Sequence, residues 1–425
     1  MASTASGPGG GAQTEAAAPP LFNPFDPEFR TNPYPVYQRL RTEAPVHQGQ
    51  FGGWVLSRFA ECEAVLGDHR RFSSDGRNSE AYHEFVAQRG GLTPEEQALE
   101  ASRPFLFRDP PDHTRLRGLV SKAFTPRRVE ALRPRIQQIV DELIDTVGGG
   151  GSMDVIEDLA YPLPVTVICE MLGVPVEDHG RFKEWSRELA RSLDPEFVLP
   201  QEVIERRNQA VLSFREYFGS LIERRREAPR DDLISALIAV EEQGEVLTHQ
   251  ELLSTLTLLL VAGHETTVSL IGNGVLALLR HPDQMEMLRD NPSLARSAVE
   301  EVLRYDPPVQ FDGRTAVEDV EIDGVTVRKG QEVVLLLGSA NRDPAQFPDP
   351  DRLDITRADN RHLAFGYGIH FCLGAPLARV EGQIALGTLA RRLRGLELLT
   401  DRPEYKENIV LRGLRALPVG FSGAA

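Results

Sequence analysis

Cys372 is the residue whose neighbours most clearly suggest chemistry. It lies in the segment FGYGIHFCLG (365–374), where three glycines give the backbone access to positive φ angles and to close approach of a large, flat body. A helical segment follows and places the sulfur near a helix N-terminus, whose partial positive charge favours thiolate over thiol. The thiolate is a candidate axial metal ligand, and a nucleophilic cysteine with His370 as its base is the alternative. No second cysteine or histidine pattern supports zinc, which needs three or four protein ligands.

The same segment resembles the haem-binding loop of the cytochrome P450 monooxygenases, whose pattern F-G-x-G-x-H-x-C-L-G it matches at every fixed position. Seven fixed residues, each with a usage of about 5%, give a chance probability of roughly one in a billion per starting point. The resemblance extends from about residue 22 to 421 and is best with the soluble bacterial branch, which includes actinomycete enzymes that oxidise macrolides and other secondary metabolites. It argues against the nucleophilic interpretation of Cys372.

The resemblance first implies a haem b cofactor. Cys372 would bind the iron through its sulfur, a ligation that pushes electron density onto iron and favours cleavage of the O–O bond of the co-substrate O₂. Phe365 would pack on the proximal face of the haem, and backbone N–H groups beyond the sulfur would temper its charge. Gly374 would complete the contacts of this loop with the cofactor, and His370 would donate to a haem propionate rather than act as a base.

The segment AGHETT (262–267) combines a carboxylate with two hydroxyls in an otherwise apolar helical pattern. Glycine and threonine in a buried helix more often form a packing notch with a satisfied hydroxyl. Activation of O₂ requires two protons, however, which an acid and an alcohol on a locally widened helix could deliver. The match to the family pattern A-G-x-[DE]-T-T assigns Thr266 as the hydroxyl beside O₂ and Glu265 as the acid behind it. Ala262 would line the same groove, and His264 is expected to be structural.

A set of basic residues is spread over three parts of the sequence. His113 and Arg117 are four residues apart on a helix expected to begin at Pro110, so both project from one side. A basic helix face is usually only solvated, but the two propionates of haem need cationic donors. The resemblance assigns His113 and Arg117 to that role. It adds Arg314, from the segment DGRTAV, and His370.

The segment EEVLRY contains Glu301 and Arg304, an i,i+3 pair able to bridge on one helix face. Exposed pairs of this kind are common and contribute little to stability. In the family this E-x-x-R pair is buried beside the cysteine loop and is joined by an arginine from a P-x-R-F stretch. Here that stretch is PDRL, which predicts Arg352 as the third member, with Leu353 where phenylalanine is more usual. The trio is predicted to be structural.

The elements that must position these groups are mostly helical. Asp109 is expected to cap the helix that begins at Pro110, and the polar stretch 73–104 before it is expected to be a long irregular connection. Helical periodicity is predicted over 58–67, 128–148, 157–173, 181–192, 202–226, 249–280 and a final segment PLARVEGQIALGTLARRL.

Strand signals are fewer and concentrate after residue 318. A strand is predicted around GGWVLS, a hairpin at VEIDGVTV with Asp323-Gly324 at its turn, and a buried strand at EVVLLL. The expected fold is therefore mainly α with small β-sheets. It is a single large helical domain with a β-rich side, which the resemblance identifies as the cytochrome P450 fold.

Composition restricts the partners and the compartment. With 63 acidic and 47 basic residues the net charge is −16, which argues against nucleic acid, because phosphate neutralisation needs clustered Lys and Arg. Three cysteines form no disulfide framework, so a reducing compartment is expected, with Cys62 and Cys169 as buried fillers. Residues 1–20 are expected to be a disordered tail before a single domain at 21–425. The apolar run 252–263 is too short for a bilayer, which predicts a cytoplasmic protein without membrane contact.

These features together predict a haem-thiolate monooxygenase that hydroxylates a bulky secondary metabolite, such as a macrolide or other polyketide. A non-catalytic haem protein that binds ligands would be expected to lose Glu265 and Thr266, and both are present. Oxidative coupling or ring formation stays open, because the outcome depends on what lies near the oxidant that the cofactor makes. The 73–104 connection is expected to be a movable lid over the substrate, with Val309 and Phe311 as candidate wall residues.

Electrons are expected from outside the chain. By resemblance they come from a ferredoxin and an NAD(P)H-dependent ferredoxin reductase. Four arginines fall in segments that the family places on or near the proximal side, and they are predicted to dock an acidic ferredoxin: Arg115, Arg127, Arg128 and Arg379.

Overall fold

The computed structural model describes residues 22–50, 52–147, 151–194, 199–240 and 244–424, so the predicted tail, residues 1–20, lies outside the described part of the chain. Helices dominate these residues, as predicted. In chain order they are α1 (Pro27–Thr31), α2 (Tyr34–Glu43), α3 (Phe59–Gly67), α4 (Glu80–Gln88), α5 (Pro94–Ala101), α6 (Asp112–Ala123), α7 (Pro126–Ala131), α8 (Arg133–Val147), α9 (Pro162–Leu172), α10 (His179–Ala190), α11 (Gln201–Glu227), α12 (Leu233–Ala239), α13 (His249–Arg280), α14 (Pro282–Asp290), α15 (Ala295–Tyr305), α16 (Leu337–Ala340) and α17 (Ala375–Arg392).

The strands are short and form small sheets, which confirms the predicted fold class. They are β1 (Val46–Gln48), β2 (Trp54–Leu56), β3 (Phe72–Ser73), β4 (Ser152–Asp154), β5 (Phe311–Ala316), β6 (Val320–Ile322), β7 (Val325–Val327), β8 (Glu332–Leu336), β9 (Leu393–Arg394), β10 (Glu397–Leu398), β11 (Pro418–Gly420) and β12 (Gly423–Ala424). The largest sheet has the order β1-β2-β8-β5-β3, in which β2 and β8 are parallel and the other pairs are antiparallel. A smaller sheet, β10-β11-β4, joins the C-terminal strands to the middle of the chain.

The hairpin β6–β7 forms where the sequence predicts it. Val320 pairs with Val327, and the turn residues Asp323 and Gly324 have φ angles of 48° and 76°. Two positive φ angles are what a two-residue turn of this hand requires, and Asp-Gly is among the residue pairs that tolerate them best. The turn chemistry therefore determines this hairpin locally.

Helix α13 runs through the interior and carries the AGHETT segment. Its start is fixed by a capping box in which the Thr248 hydroxyl accepts from the Glu251 N–H and the Glu251 carboxylate accepts from the Thr248 N–H. Every residue from Thr267 to Leu278 is buried, and α13 packs against α9, α10, α15 and α17. By length and composition α13 alone among the described helices could cross a membrane. Its most apolar window is 67% buried inside the protein, as expected of a core helix.

Three local expectations differ from the structure. The stretch 73–104 is not irregular, because α4 and α5 occupy much of it. Helix α6 begins at Asp112 rather than Pro110, and the Asp109 carboxylate accepts hydrogen bonds from the Ser73 hydroxyl and the Ser74 N–H instead of capping it. Strand character begins before residue 318, since β5 already starts at Phe311. For Asp109 and β5, contacts distant in sequence decide the local conformation, whereas α4 is capped locally by the Ser79 hydroxyl.

Candidate active site

The loop that carries Cys372 is shaped by two left-handed glycines. Gly366 and Gly368 have φ angles of 71° and 72°, and a Cβ on Gly368 would lie 2.6 Å from the Leu66 carbonyl oxygen. The Cys372 N–H donates to the Phe365 carbonyl at 2.9 Å, which closes the loop. Gly374 differs from the expectation, because its φ is −79°; a Cβ there would lie 3.8 Å from the Cys372 sulfur. Its small size, not its φ, keeps space beside the sulfur.

The sulfur of Cys372 lies just before the N-terminus of α17. Cys372 is an exposed residue, but desolvation of its sulfur by the surrounding protein raises the pKa of the thiol. Hydrogen bonds from the backbone N–H groups of Gly374 and Ala375 oppose that rise, as does the charge of Arg117. These N–H groups are the donors that a thiolate at this position would use. Both ring nitrogens of His370 lack a hydrogen-bond partner, so no Cys372–His370 hydrogen bond of the kind a nucleophilic pair needs is present.

A cluster of basic side chains, which we call the cationic pocket, lies next to the cysteine loop: His113 and Arg117 from α6, Arg314 from β5, and His370. The rings of His113 and His370 are 4.3 Å apart between centroids. Burial, with the charges of His113, Arg314 and Arg117, lowers the pKa of His370 to about 3. Burial and the charge of Arg117 lower the pKa of His113 to about 4. The structure thus brings together all four residues that the sequence assigned to one role.

The cationic pocket fits a group that carries carboxylates. Both ring nitrogens of His370 are buried without hydrogen-bond partners in the described structure, whereas buried polar atoms are nearly always paired. His113 has a hydrogen bond to the Ile369 backbone. Arg314 is also buried and donates to Asp312 at 2.8 Å, while Arg117 donates to the Phe371 carbonyl. Carboxylates are acceptors for such donors. The two propionates of a haem whose iron is held by Cys372 would supply them, so the residues present fit this cofactor.

The AGHETT stretch of α13 carries the second group of predicted site residues, and α13 packs against α17, the helix that follows Cys372. Ala262 is exposed and Thr266, four residues on, is half-buried, so both lie on one helix face. The Thr266 hydroxyl donates to the Ala262 carbonyl at 2.6 Å, and the Thr267 hydroxyl donates to the Gly263 carbonyl at 3.2 Å. The helix is continuous α-helix here, so the expected local widening is wrong. The side-chain bond to Ala262 leaves the Thr266 oxygen able to accept from another donor.

The Glu265 side chain contacts a different part of the protein from the part that the Thr266 side chain contacts. Its side chain is 5% exposed and forms an ion pair with Lys406, while its other oxygen lies 3.9 Å from His264 Nδ1. Burial alone would raise the pKa of Glu265, but Lys406 and His264 outweigh burial and lower it. Glu265 is therefore held as a carboxylate. Sequence reasoning missed Lys406, because no motif links it to a helix 141 residues earlier.

His264 is structural, as expected. Its ring is fully buried, contacts the Ser186 hydroxyl, and lies edge-on to Tyr161 with centroids 4.6 Å apart. It thereby attaches α13 to α10 and to the turn before α9. This packing sets the rotation of α13, and with it the face on which Ala262 and Thr266 lie.

Beneath the cysteine loop, Glu301 and Arg304 form a fully buried bidentate pair with both N···O distances at 2.8 Å. The third arginine is Arg357, whose Nε lies 3.2 Å from the same carboxylate, so the prediction of Arg352 is wrong. The Arg352 side chain is 65% exposed and faces Asp354, and only its carbonyl accepts from Arg304. A turn of chain after PDRL brings Arg357 inward.

Two of the four arginines predicted to dock an acidic partner are already neutralised. Arg379 forms a bidentate pair with Glu300, at 2.7 and 2.9 Å, and lies over the Phe365 ring. Arg115 pairs with Glu251 at the start of α13. Arg127 and Arg128 are exposed, and the Arg128 side chain donates to the Ala123 carbonyl. Of the four arginines predicted to form the docking surface, Arg127 and Arg128 therefore remain as candidates.

The geometry agrees with comparisons to known proteins. Residues 80–414 match the family model described as Cytochrome P450. The polyketide biosynthesis cytochrome P450 PksS of Bacillus subtilis (strain 168) is 42% identical over 412 residues, which cover 95% of this chain and 99% of that protein. The solved structure of PksS superposes with a TM-score of 0.85, covering 94% of this chain and 100% of that chain.

Two further similarities bear on substrate class. The 6-deoxyerythronolide B hydroxylase of Saccharopolyspora erythraea is 43% identical over 402 residues, which cover 93% of this chain and 97% of that protein. A crystal structure of P450BioI in complex with an acyl carrier protein ligated to hexadec-9Z-enoic acid is 42% identical, with a TM-score of 0.84, and covers 93% of this chain and 99% of that chain. Cys372 lies inside the span of the family match.

Proposed function

This chain belongs to the cytochrome P450 family and is a monooxygenase, and we propose that it hydroxylates a C–H bond of a bulky secondary metabolite, a macrolide or other polyketide. The observation that carries the proposal is the cationic pocket beside Cys372, in which the rings of His113 and His370 lie 4.3 Å apart and both ring nitrogens of His370 are buried without hydrogen-bond partners in the described structure. Membership of this family implies a haem-thiolate iron cofactor. Haem b and O₂ are part of the proposal.

In this mechanism each residue acts on the bound haem or beside it. Cys372 would hold the iron through its sulfur, and the N–H groups of Gly374 and Ala375 would offset the charge of the thiolate. The cationic pocket would hold the propionates, Phe365 would contact the cofactor beside Cys372, and Ala262 would contact it from α13. When bound, the haem supplies the oxidising chemistry, which thiolate ligation favours by promoting O–O cleavage. Thr266 and Glu265 hold and pass the protons that this chemistry consumes.

The substrate class is supported by the names of the relatives. PksS belongs to polyketide biosynthesis and the Saccharopolyspora enzyme acts on 6-deoxyerythronolide B, and both align over almost the whole of this chain. A polyketide is bulky and mostly apolar, and it would lie between the α13 groove and a lid that we propose α4 and α5 form. Oxidative coupling or ring formation on another scaffold uses the same residues and is the alternative outcome.

Electrons come from a ferredoxin and an NAD(P)H-dependent ferredoxin reductase. Arg127 and Arg128 of α7 are the exposed cations of the proposed dock near the cysteine loop. The protein works in the cytoplasm, and residues 21–425 act as one haem domain. The largest hydrophobic cluster includes residues from Phe105 to Phe421, and two smaller clusters pack Leu56 with Leu335 and Tyr37 with Leu336, which supports that unity.

The test of the substrate class is a Soret titration of the haem-loaded protein against macrolides, other polyketides, terpenoids, fatty acids and aromatics. A low-spin to high-spin shift with macrolides or other polyketides, saturating at micromolar concentration, is the expected result, because a substrate displaces water from the iron. A shift confined to terpenoids, fatty acids or aromatics would overturn the proposed class. Absence of a Soret band after reconstitution with haem would overturn the haem assignment itself.

Replacement Thr266→Ala is expected to leave substrate binding unchanged while most electrons are released as hydrogen peroxide. The hydroxyl lost is the one on the groove face of α13, so protons are no longer held there. The measurement is hydrogen peroxide formed per NADPH consumed. Thr267→Ala is the matched control, since its hydroxyl makes the same helix bond but the residue is buried. Full coupling in Thr266→Ala would show that protons arrive by another route.

A further inference from the structure

A surface cleft between N-terminal and C-terminal parts of the chain has Lys406 in its lining. The cleft has a water-accessible volume of about 20 Å³, enough for about one water molecule. Its lining includes Pro24 and Phe29 from the N-terminal part of the chain and Tyr405, Lys406 and Asn408 from the C-terminal part. Lys406 is the member of this lining that also contacts Glu265, and its side chain is 22% exposed whereas that of Glu265 is 5% exposed. One flexible ammonium group thus connects a surface cleft with the helix that carries Thr266.

The backbone around Lys406 is held in place, so this contact does not depend on a free loop. The Lys406 N–H donates to the Gly413 carbonyl at 2.9 Å, and Tyr405 forms a β-bridge with Leu414. The neighbouring residue Leu411 bridges to Val309. The long lysine side chain alone spans the distance from this fixed strand-like segment to Glu265.

The other neighbours of Glu265 offer no comparable route for a proton from solvent. His264 is fully buried with its Nδ1 against the Ser186 hydroxyl, and Tyr161 is 1% exposed. The charge of Arg187 also acts on Glu265, but a guanidinium does not release its proton in proteins, and this one pairs with Glu157. Among the described neighbours Lys406 combines contact with Glu265, exposure to the cleft and a proton that can leave.

We infer that Lys406 is the relay through which solvent protons from this cleft reach Glu265, and that the cleft is the proton entrance of the enzyme. One proton passes from Lys406 Nζ to the Glu265 carboxylate and onward to the Thr266 side of α13. The neutral amine then takes one proton from water in the cleft and returns to ammonium, so the relay is restored after each transfer. Lys406 acts through Glu265 and is a positioning residue. The inference rests on the proposed monooxygenase function.

The decisive variants are Lys406→Arg and Lys406→Met. Arginine keeps the positive charge beside Glu265 but cannot give up its proton, whereas methionine removes both properties. If Lys406 is a relay, both variants lower O₂-driven oxidation by about 100-fold, the lower end of the range for a positioned acid, and raise the solvent deuterium isotope effect. Turnover driven by hydrogen peroxide, which brings its own protons, stays at the wild-type rate. Lys329→Met, at an exposed lysine far from the cleft in sequence, is the control.

A second readout does not need turnover. The infrared carboxyl band of Glu265, assigned by subtraction of the Glu265→Gln spectrum, should indicate a carboxylate in wild type and Lys406→Arg and a protonated acid in Lys406→Met, because the paired cation lowers the pKa of Glu265. An unshifted band in Lys406→Met would overturn the pairing. If Lys406→Arg keeps the wild-type rate of O₂-driven turnover, Lys406 is not a proton relay, and its role is only to place a positive charge beside Glu265. Wild-type protein inactive with both oxidants would overturn the proposed function and the relay with it.

Discussion

Replacement Cys372→Ser is expected to abolish the thiolate-type absorption band of the reduced carbon-monoxide complex. A serine hydroxyl is a far weaker donor to iron than a thiolate, and the N–H groups of Gly374 and Ala375 that surround the sulfur would remain. The measurement is the absorption spectrum of haem-reconstituted protein after reduction under carbon monoxide, with haem content determined separately. Oxidation of any substrate from the Soret panel should be lost together with the band.

The matched control for this change is Cys62→Ala. Cys62 is fully buried on α3, far in sequence from the cysteine loop, and burial raises the pKa of its thiol so that it stays protonated. This variant should keep the thiolate-type band at wild-type intensity. Retention of the band in Cys372→Ser would remove the central assignment, and loss of the band in Cys62→Ala would show that the spectrum reports folding rather than ligation.

The second large effect is expected from Glu301→Gln, which should lower the free energy of unfolding by about 3–5 kcal/mol. The change leaves the guanidinium of Arg304 fully buried without its carboxylate, in a place where water cannot replace it. Glu301 also accepts from Arg357, from the Asn360 side chain and from the Asp354 N–H. Urea unfolding midpoints of the haem-loaded protein measure the loss, and haem should dissociate more readily because this network supports the cysteine loop from below.

The same network separates the two candidate third arginines. Arg357→Ala should destabilise clearly, because the Arg357 side chain is 11% exposed and contacts the buried carboxylate. Arg352→Ala should change the unfolding free energy by no more than about 0.5 kcal/mol, since the side chain is exposed and its structural contact is made by the backbone carbonyl. Equal losses in the two variants would contradict the assignment of Arg357.

Much of the fold could be predicted from the sequence because the signals are local. The boundaries of α13 were predicted at 249–280 and agree with the structure, since a long apolar pattern ends at a His-Pro step. The β6–β7 hairpin follows from Asp323-Gly324, whose backbone preferences act over a few residues. The cysteine loop likewise contains its own glycines and is followed directly by its helix.

Contacts between distant segments could not be predicted in the same way. The segment PDRL predicted Arg352, but the fold turns Arg357 toward Glu301, because the side chain that is buried depends on how the chain bends after the motif. Lys406 carries no local signal for its pairing with Glu265. The position of Asp109 before a helix predicts a helix cap, but its carboxylate instead accepts hydrogen bonds from the Ser73 hydroxyl and the Ser74 N–H.

The sequence by itself determined the chemistry available at this site: a cysteine in a glycine loop before a helix, an acid and an alcohol on a long apolar helix, and enough basic residues to hold two carboxylates. Residue types and short spacings encode these properties, and they need no knowledge of the fold. Only the tertiary structure decided which groups meet. It gathered His113, Arg117, Arg314 and His370 into one pocket and paired Glu265 with Lys406. These contacts depend on the packing of the whole chain, because a buried charge is tolerated only where a residue distant in sequence supplies an opposite charge or a hydrogen bond.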